Sequence, residues 1–151
     1  MDKQIRKSPR LTGYDYKTGN YYFITLCTHN KQCLFGKPGK LNQFGRIVKQ
    51  SILKISRHYD SISIDNYIIM PNHIHMIVAV EDHNTVSLET IIGLFKSGIS
   101  REIHKIEPDI QVWQRSFHDH IIRNQQSYEK IWQYVTYNHQ KWLEDCYYVS
   151  E

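Results

Sequence analysis

The stretch Met70-Pro71-Asn72-His73-Ile74-His75-Met76-Ile77-Val78 sets two histidines, two positions apart, inside a run that otherwise reads as a buried strand. Pro71 interrupts the loosely alternating, β-rich run Ser61 to Ile69, and a new strand starts near His73. Only a tight turn separates the two runs, so they form a hairpin. Side chains alternate faces along a strand. Ile74, Met76, Val78 and Val80 therefore make one apolar face, and His73 and His75 project together from the other. Burying two unpartnered rings costs roughly several kcal/mol. The pair points to one half of a metal site, to two acid/base groups, or to two hydrogen-bonded structural histidines.

Working outward, Tyr21 to Thr28 is rich in aromatic and β-branched residues and reads as a strand, followed by a loop marked by Gly36, Pro38 and Gly39. Asn42 caps a helix in which Phe44, Ile47, Val48, Ile52, Ile55 and Tyr59 recur at helical spacing. Ser87 caps a second, with Leu88, Ile91, Ile92, Phe95, Ile99 and Ile103 along one stripe, and Pro108 ends that region. Val112 to Arg123 reads as a fourth strand. A third helix runs from about Gln126 to Asp145 with Ile131, Val135 and Trp142 on its inner face. The first six elements follow the split βαβ order of an α+β, ferredoxin-like antiparallel sheet with two helices on one face. The histidine face is then left for the last helix to cover.

Length and composition set the bounds. A chain of 151 residues is most simply one domain, here 1–151 with a basic lead-in over 1–20, and is long enough to bury a core without disulfides. Three cysteines (Cys27, Cys33, Cys146), an odd count without CxxC spacing, argue against a disulfide scaffold or a zinc ribbon. No apolar run approaches the ~20 residues of a membrane span, and the N-terminus lacks an apolar signal core. A cytoplasmic location is the expectation. The net charge of +4 is partly concentrated in Lys3, Arg6, Lys7, Arg10 and Lys17. Such an arm suits a polyanion through counterion release, or is a solvated tail. Tyrosine and tryptophan rings could stack on unpaired bases, although most belong in strands and core.

The third helix bears on the histidines. Tyr134 and Asn138 lie four apart on one helix face. At 100° per residue, Asn138 falls roughly 50° and Tyr134 roughly 90° from the centre of the apolar stripe, both bordering the buried face. Tyr128, at about 30°, has the position of a packing residue and is the rival nucleophile. An amide oxygen suits a hard cation, and a phenol oxygen can act as a nucleophile.

The chain resembles the single-tyrosine HUH transposases, and most closely the branch called REP-associated tyrosine transposases. The resemblance runs nearly the full length. It is carried by Arg6-Lys7-Ser8-Pro9-Arg10-Leu11, the strand Tyr22 to Thr28, Met70-Pro71-Asn72-His73-Ile74-His75 and Phe95-Lys96-Ser97. It continues through Trp113-Gln114-Arg115-Ser116-Phe117, Asp119-His120-Ile121-Ile122-Arg123-Asn124 and Tyr134-Val135-Thr136-Tyr137-Asn138. His-x-His alone is a weak signal, whereas the combination is specific. One departure stands out: relatives usually follow the final Asn with Pro, and here His139 follows.

The resemblance implies a divalent metal, Mg or Mn, held by His73, His75 and Asn138, with Tyr134 as nucleophile. It implies nicking and rejoining of single-stranded DNA, with a hairpin nearby, through a 5′-phosphotyrosine intermediate. A phenol of pKa about 10 is poorly ionised at neutral pH, so the metal or a basic group must assist it. Arg6, Lys7, Arg10, Lys96 and Arg123 are the expected DNA contacts. Asp119 and His120 are expected to support the metal ligands, and His118 shares a strand face with His120. Alternatives are a nucleic-acid-binding module of the same fold without cleavage, a metal phosphodiesterase that uses water, and a structural ferredoxin-like protein. Relatives with dimeric sites exchange the tyrosine helix between subunits, so a homodimer remains open; the short Asn124 to Ser127 connection favours a helix packed on its own subunit.

Overall fold

The computed structural model describes residues 20–37 and 39–138. In chain order these form β1 (Asn20–Cys27), a 3-10 turn (His29–Lys31), the two-residue strands β2 (Gly36–Lys37) and β3 (Lys40–Leu41), and α1 (Gln43–His58). There follow β4 (Ile62–Met70), β5 (His73–Val80), α2 (Leu88–His104), β6 (His118–Ile122) and α3 (Gln125–Tyr137). The basic lead-in with Arg6, Lys7 and Arg10, and the last-helix positions His139, Trp142 and Asp145, lie outside the described residues. Among the described residues, no helix is long and apolar enough to cross a membrane.

The main sheet is antiparallel, in the order β4-β5-β1-β6. This is the split βαβ arrangement: the hairpin partner β5 is inserted between β1 and β4. Both anticipated helix caps form. The side chain of Asn42 accepts from the Gly45 amide, and that of Ser87 from the Thr90 amide. One sheet face, with Ile24, Leu26, Ile74, Met76 and Val78, packs against Val48, Ile52 and Ile55 of α1 and Ile91, Ile92 and Ile99 of α2. The other, with Tyr21, Ile77, Ala79 and Ile122, packs against Tyr128, Trp132 and Val135 of α3. The period-2 pattern of β5 thus divides the apolar residues and the histidines as its sequence requires.

A bulge in β4 docks α3. The β4–β5 register shifts between Ile64 and Asn66, leaving Asp65 as the extra residue. Asp65 accepts a 2.7 Å bond from the Tyr128 hydroxyl, and Asn66 Nδ2 donates to the Trp132 carbonyl (3.3 Å) and to Thr136 Oγ1 (2.9 Å). Two consecutive polar residues of one strand therefore hold two turns of the helix.

The hairpin pairs Met70 with His73 across Pro71 and Asn72. Neither turn residue has a positive φ, so the turn is not of the primed kind that suits a two-residue hairpin. The loop after β1 braces it instead. Leu34 and Phe35 amides donate to the Pro71 carbonyl, and the Thr28 amide donates to the Asn72 carbonyl (3.0 Å). Gly45 lets α1 press on this brace, because a Cβ there would overlap the Phe35 carbonyl oxygen.

The fourth strand is shorter than the expected Val112 to Arg123: only His118–Ile122 pairs with β1. Upstream, Trp113 makes an isolated bridge to Thr28, and Ser116 adopts φ +67. The Gln114 and Ser116 carbonyls are taken by the Lys96 ammonium, at 2.9 and 2.8 Å. A left-handed residue and two diverted acceptors end the ladder there.

Candidate active site

β5 sets His73 and His75 side by side, with ring centroids 4.6 Å apart, and both are buried. Each ring is oriented by a different neighbour. Asn72 Nδ2 donates to the Lys31 carbonyl, so its Oδ1, 2.8 Å from His73 Nδ1, is an acceptor. His73 Nδ1 therefore carries the proton, and in the neutral ring the lone pair lies on Nε2. Thr25 Oγ1 lies 2.9 Å from His75 Nδ1. Thr25 is the register partner of His75 on β1, which gives the contact its geometry. When Nδ1–H donates to Thr25, the Nε2 lone pair of His75 is likewise available. Phe23 stacks on the His75 ring, with centroids 5.1 Å apart.

Across from this pair, α3 brings Tyr134, whose hydroxyl lies 3.4 Å from His75 Nε2. That is longer than a good hydrogen bond. Phe23 meets the Tyr134 ring edge-on. Tyr134 is 42% exposed, in contrast to the buried histidines. Tyr128 is fully buried, with its hydroxyl committed to Asp65, and acts as a packing residue that ties α3 to the sheet.

Asn138 follows one turn after Tyr134, at the C-terminal end of α3, and is 2% exposed. Its Oδ1 is buried and accepts no hydrogen bond among the described residues. A buried acceptor in that state costs about 1–3 kcal/mol, and a cation would satisfy it. Among the described residues no three His, Cys, Asp or Glu side chains gather as a metal-binding group. Asn138 is the buried amide that the sequence pairs with these histidines as a candidate third ligand. Two neutral imidazoles and one amide oxygen fit a divalent ion.

The remaining expected site residues divide. In β6, His118 is the register partner of Thr25 and His120 of Phe23, so both lie on the histidine face. Asp119 pairs with Ile24, whose side chain belongs to the core under α1 and α2. The expected support from Asp119 is therefore corrected: it projects from the opposite face, and His118 stands beside Thr25 instead. Arg123 is exposed just beyond β6. Lys96, whose pKa burial lowers from its ordinary value, holds the Gln114–Ser116 turn through two carbonyls, with the Trp113 ring 5.9 Å away. Thr25 and Asn66 carry no signal of a site role in the sequence. The position of Thr25 directly across from His75 points to it only once the strand register is known.

The family model described as "Transposase IS200 like" matches residues 16–138. A Haemophilus influenzae protein of uncharacterised function is 33% identical, the alignment covering 96% of this chain and 94% of that protein. A second Haemophilus influenzae protein, provisionally named a REP-associated tyrosine transposase, is 23% identical over 82% of this chain and 72% of its own length. Among solved structures, that of a REP-associated tyrosine transposase bound to a REP hairpin superimposes with a TM-score of 0.64 at 18% identity, covering 92% of this chain and 73% of that one. That likeness is one of fold: an antiparallel four-stranded sheet flanked by three helices.

Proposed function

The chain belongs to the IS200-like transposase family, and from that membership we propose that it cuts and rejoins single-stranded DNA through a covalent bond between Tyr134 and a 5′-phosphate. The observation that carries this reading is the 3.4 Å approach of the Tyr134 oxygen to His75 Nε2, made by an exposed tyrosine of the same chain. The Tyr134 oxygen attacks phosphorus, the bond to the 3′-oxygen breaks, and the phenol proton is replaced by the proton on the released 3′-hydroxyl. The tyrosine ester keeps the phosphodiester bond energy, so a second 3′-hydroxyl reverses the step and rejoins the strand. The bulge bonds from Asp65 and Asn66 hold α3 so that the nucleophile meets the phosphate in a fixed orientation.

His73, His75 and Asn138 would hold a divalent cation, Mg or Mn. When bound, it supplies Lewis-acid stabilisation of the charge that develops on the phosphate oxygens. Asn72 keeps the His73 ring proton on Nδ1, and Thr25 can accept the corresponding proton of His75. The Nε2 lone pair of His75 serves either a cation or the Tyr134 hydroxyl, so the nucleophile stands beside the atom that would hold the ion. Arg6, Lys7, Arg10 and Arg123 supply phosphate contacts, and Lys96 contributes by shaping the turn that it clamps. His118 and His120 support the histidine face. The partner is single-stranded or hairpin DNA, as for the solved relative bound to a REP hairpin.

The test is to incubate the protein with Mn and a hairpin-bearing single strand labelled on its 3′ side, then to resolve covalent adducts on a denaturing gel. The wild-type protein forms an adduct and Tyr134→Phe does not. Free 5′-phosphate products at undiminished rate in Tyr134→Phe identify a phosphodiesterase using water. Strand binding without any product identifies a binding module.

A further inference from the structure

The segment Trp113-Gln114-Arg115-Ser116-Phe117 has no part in the chemistry above, yet it is held with unusual care. Trp113 bridges to Thr28 and its Nε1 donates to the Lys96 carbonyl (3.0 Å). The Gln114 amide donates to the Cys27 carbonyl (3.0 Å). Lys96 grips the carbonyls on either side of Arg115, and Ser116 is forced to φ +67, a conformation that non-glycine residues adopt only when their surroundings impose it. These constraints flank one exposed residue, Arg115.

Arg115 lies between two cavities. On one side an open groove of about 750 Å³ runs between α2 and this segment, lined by Lys96, Arg101, His104 and Arg115 with serine and glutamine side chains between them and no carboxylate. The nearby Glu102 is paired with Lys105 at 2.7 Å. On the other side a cleft of about 60 Å³ is lined by Arg115, Thr25, Cys27 and His118. Thr25 is the partner of His75 Nδ1, and Cys27 is the register partner of His73. The cationic groove thus ends on the strand that carries the partners of both site histidines.

We propose that this groove, with Arg115 at its inner end, carries the phosphate backbone of the single DNA strand that leads to the histidine pair. The inference rests on the DNA-cutting reading and adds the path of the substrate. Guanidinium groups engage phosphate oxygens in a fixed, two-pronged geometry, which explains why the backbone under Arg115 is locked. Groove walls without carboxylates favour a polyanion irrespective of base sequence.

The test uses the full chain without divalent cation and a fluorescein-labelled 20-nucleotide single strand of mixed sequence, with anisotropy followed across a salt series. Arg115→Gln and Arg101→Gln each weaken binding several-fold at low salt, equally for strands of different sequence. Each lowers the log–log salt slope by about 0.7, as expected when one fewer phosphate of a single strand is neutralised. Lys49→Gln, an exposed cation on α1, leaves both quantities unchanged. Wild-type affinity and slope in both arginine variants overturn the proposal, as does a wild-type protein that binds no strand. Salt slopes that fall as expected in a protein that forms no tyrosine adduct sustain the groove and remove the cutting reaction. Adduct formation with unaltered slopes does the reverse.

Discussion

Asn72 Oδ1 lies 2.8 Å from His73 Nδ1, and because the other end of the amide donates to Lys31, this contact decides which ring nitrogen carries the lone pair. Thr25 Oγ1, on the neighbouring strand, lies 2.9 Å from His75 Nδ1 and leaves the Nε2 lone pair of that ring available when Nδ1–H donates to it. Residues that set the tautomer of a metal-binding histidine typically govern metal affinity by about 10–100-fold. Asn72→Ala and Thr25→Val are each expected to weaken Mn binding on that scale in titration calorimetry, and Thr25→Ser to retain it. Unchanged affinity in both of the first two variants would remove these residues from the site.

Tyr128→Phe separates packing from chemistry. The substitution leaves buried Asp65 without its 2.7 Å donor and is expected to destabilise the fold by about 1–3 kcal/mol in urea unfolding. Covalent adduct formation below the unfolding midpoint should persist. Loss of the adduct in a folded Tyr128→Phe protein would transfer the nucleophile to that residue.

Asn66→Ala addresses the docking of α3. It removes the bonds to the Trp132 carbonyl and Thr136 Oγ1, two turns that position Tyr134 and Asn138. Hydrogen exchange is expected to quicken at α3 amides and not at β5 amides, and the rate of adduct formation to fall by up to ~100-fold, the cost of a slightly misplaced nucleophile. Uniform exchange across both elements would mean that Asn66 serves the whole fold.

Gly45→Ala pits propensity against contact. Within a helix the change is worth about 0.5–1 kcal/mol in favour of alanine. Here the added Cβ would overlap the Phe35 carbonyl, on the segment that braces the Pro71 turn. Net destabilisation in denaturant is expected, and a stabilised variant would show that the brace yields freely.

Much of this architecture is legible in the residues because the relevant signals are local. Alternation in Ile74, Met76, Val78 and Val80 assigns the histidines to one face, and Asn42 and Ser87 announce helix starts through their capping oxygens. The position of Tyr128 near the apolar stripe and Tyr134 at its border correctly separates a packing ring from an exposed one. What escapes depends on register or on long-range contact. The bulge at Asp65 has no mark of its own in the sequence, and it alone explains why two polar residues of β4 face α3. The fourth strand reads too long because Lys96, some 20 positions away, diverts the carbonyls of Gln114 and Ser116. Asp119 is expected beside the histidines on the family resemblance alone, whereas adjacent strand residues face opposite ways and only His118 and His120 share the histidine face.

The most direct measurement is the chemical identity of the residue that becomes joined to DNA. The Mn-dependent adduct is digested with nuclease and protease, and the modified peptide is sequenced by mass spectrometry. The account predicts a nucleotide phosphate on Tyr134 and nowhere else. A phosphate on Tyr128 or Tyr137, or cleavage that leaves every tyrosine unmodified and releases a free 5′-phosphate, would contradict it.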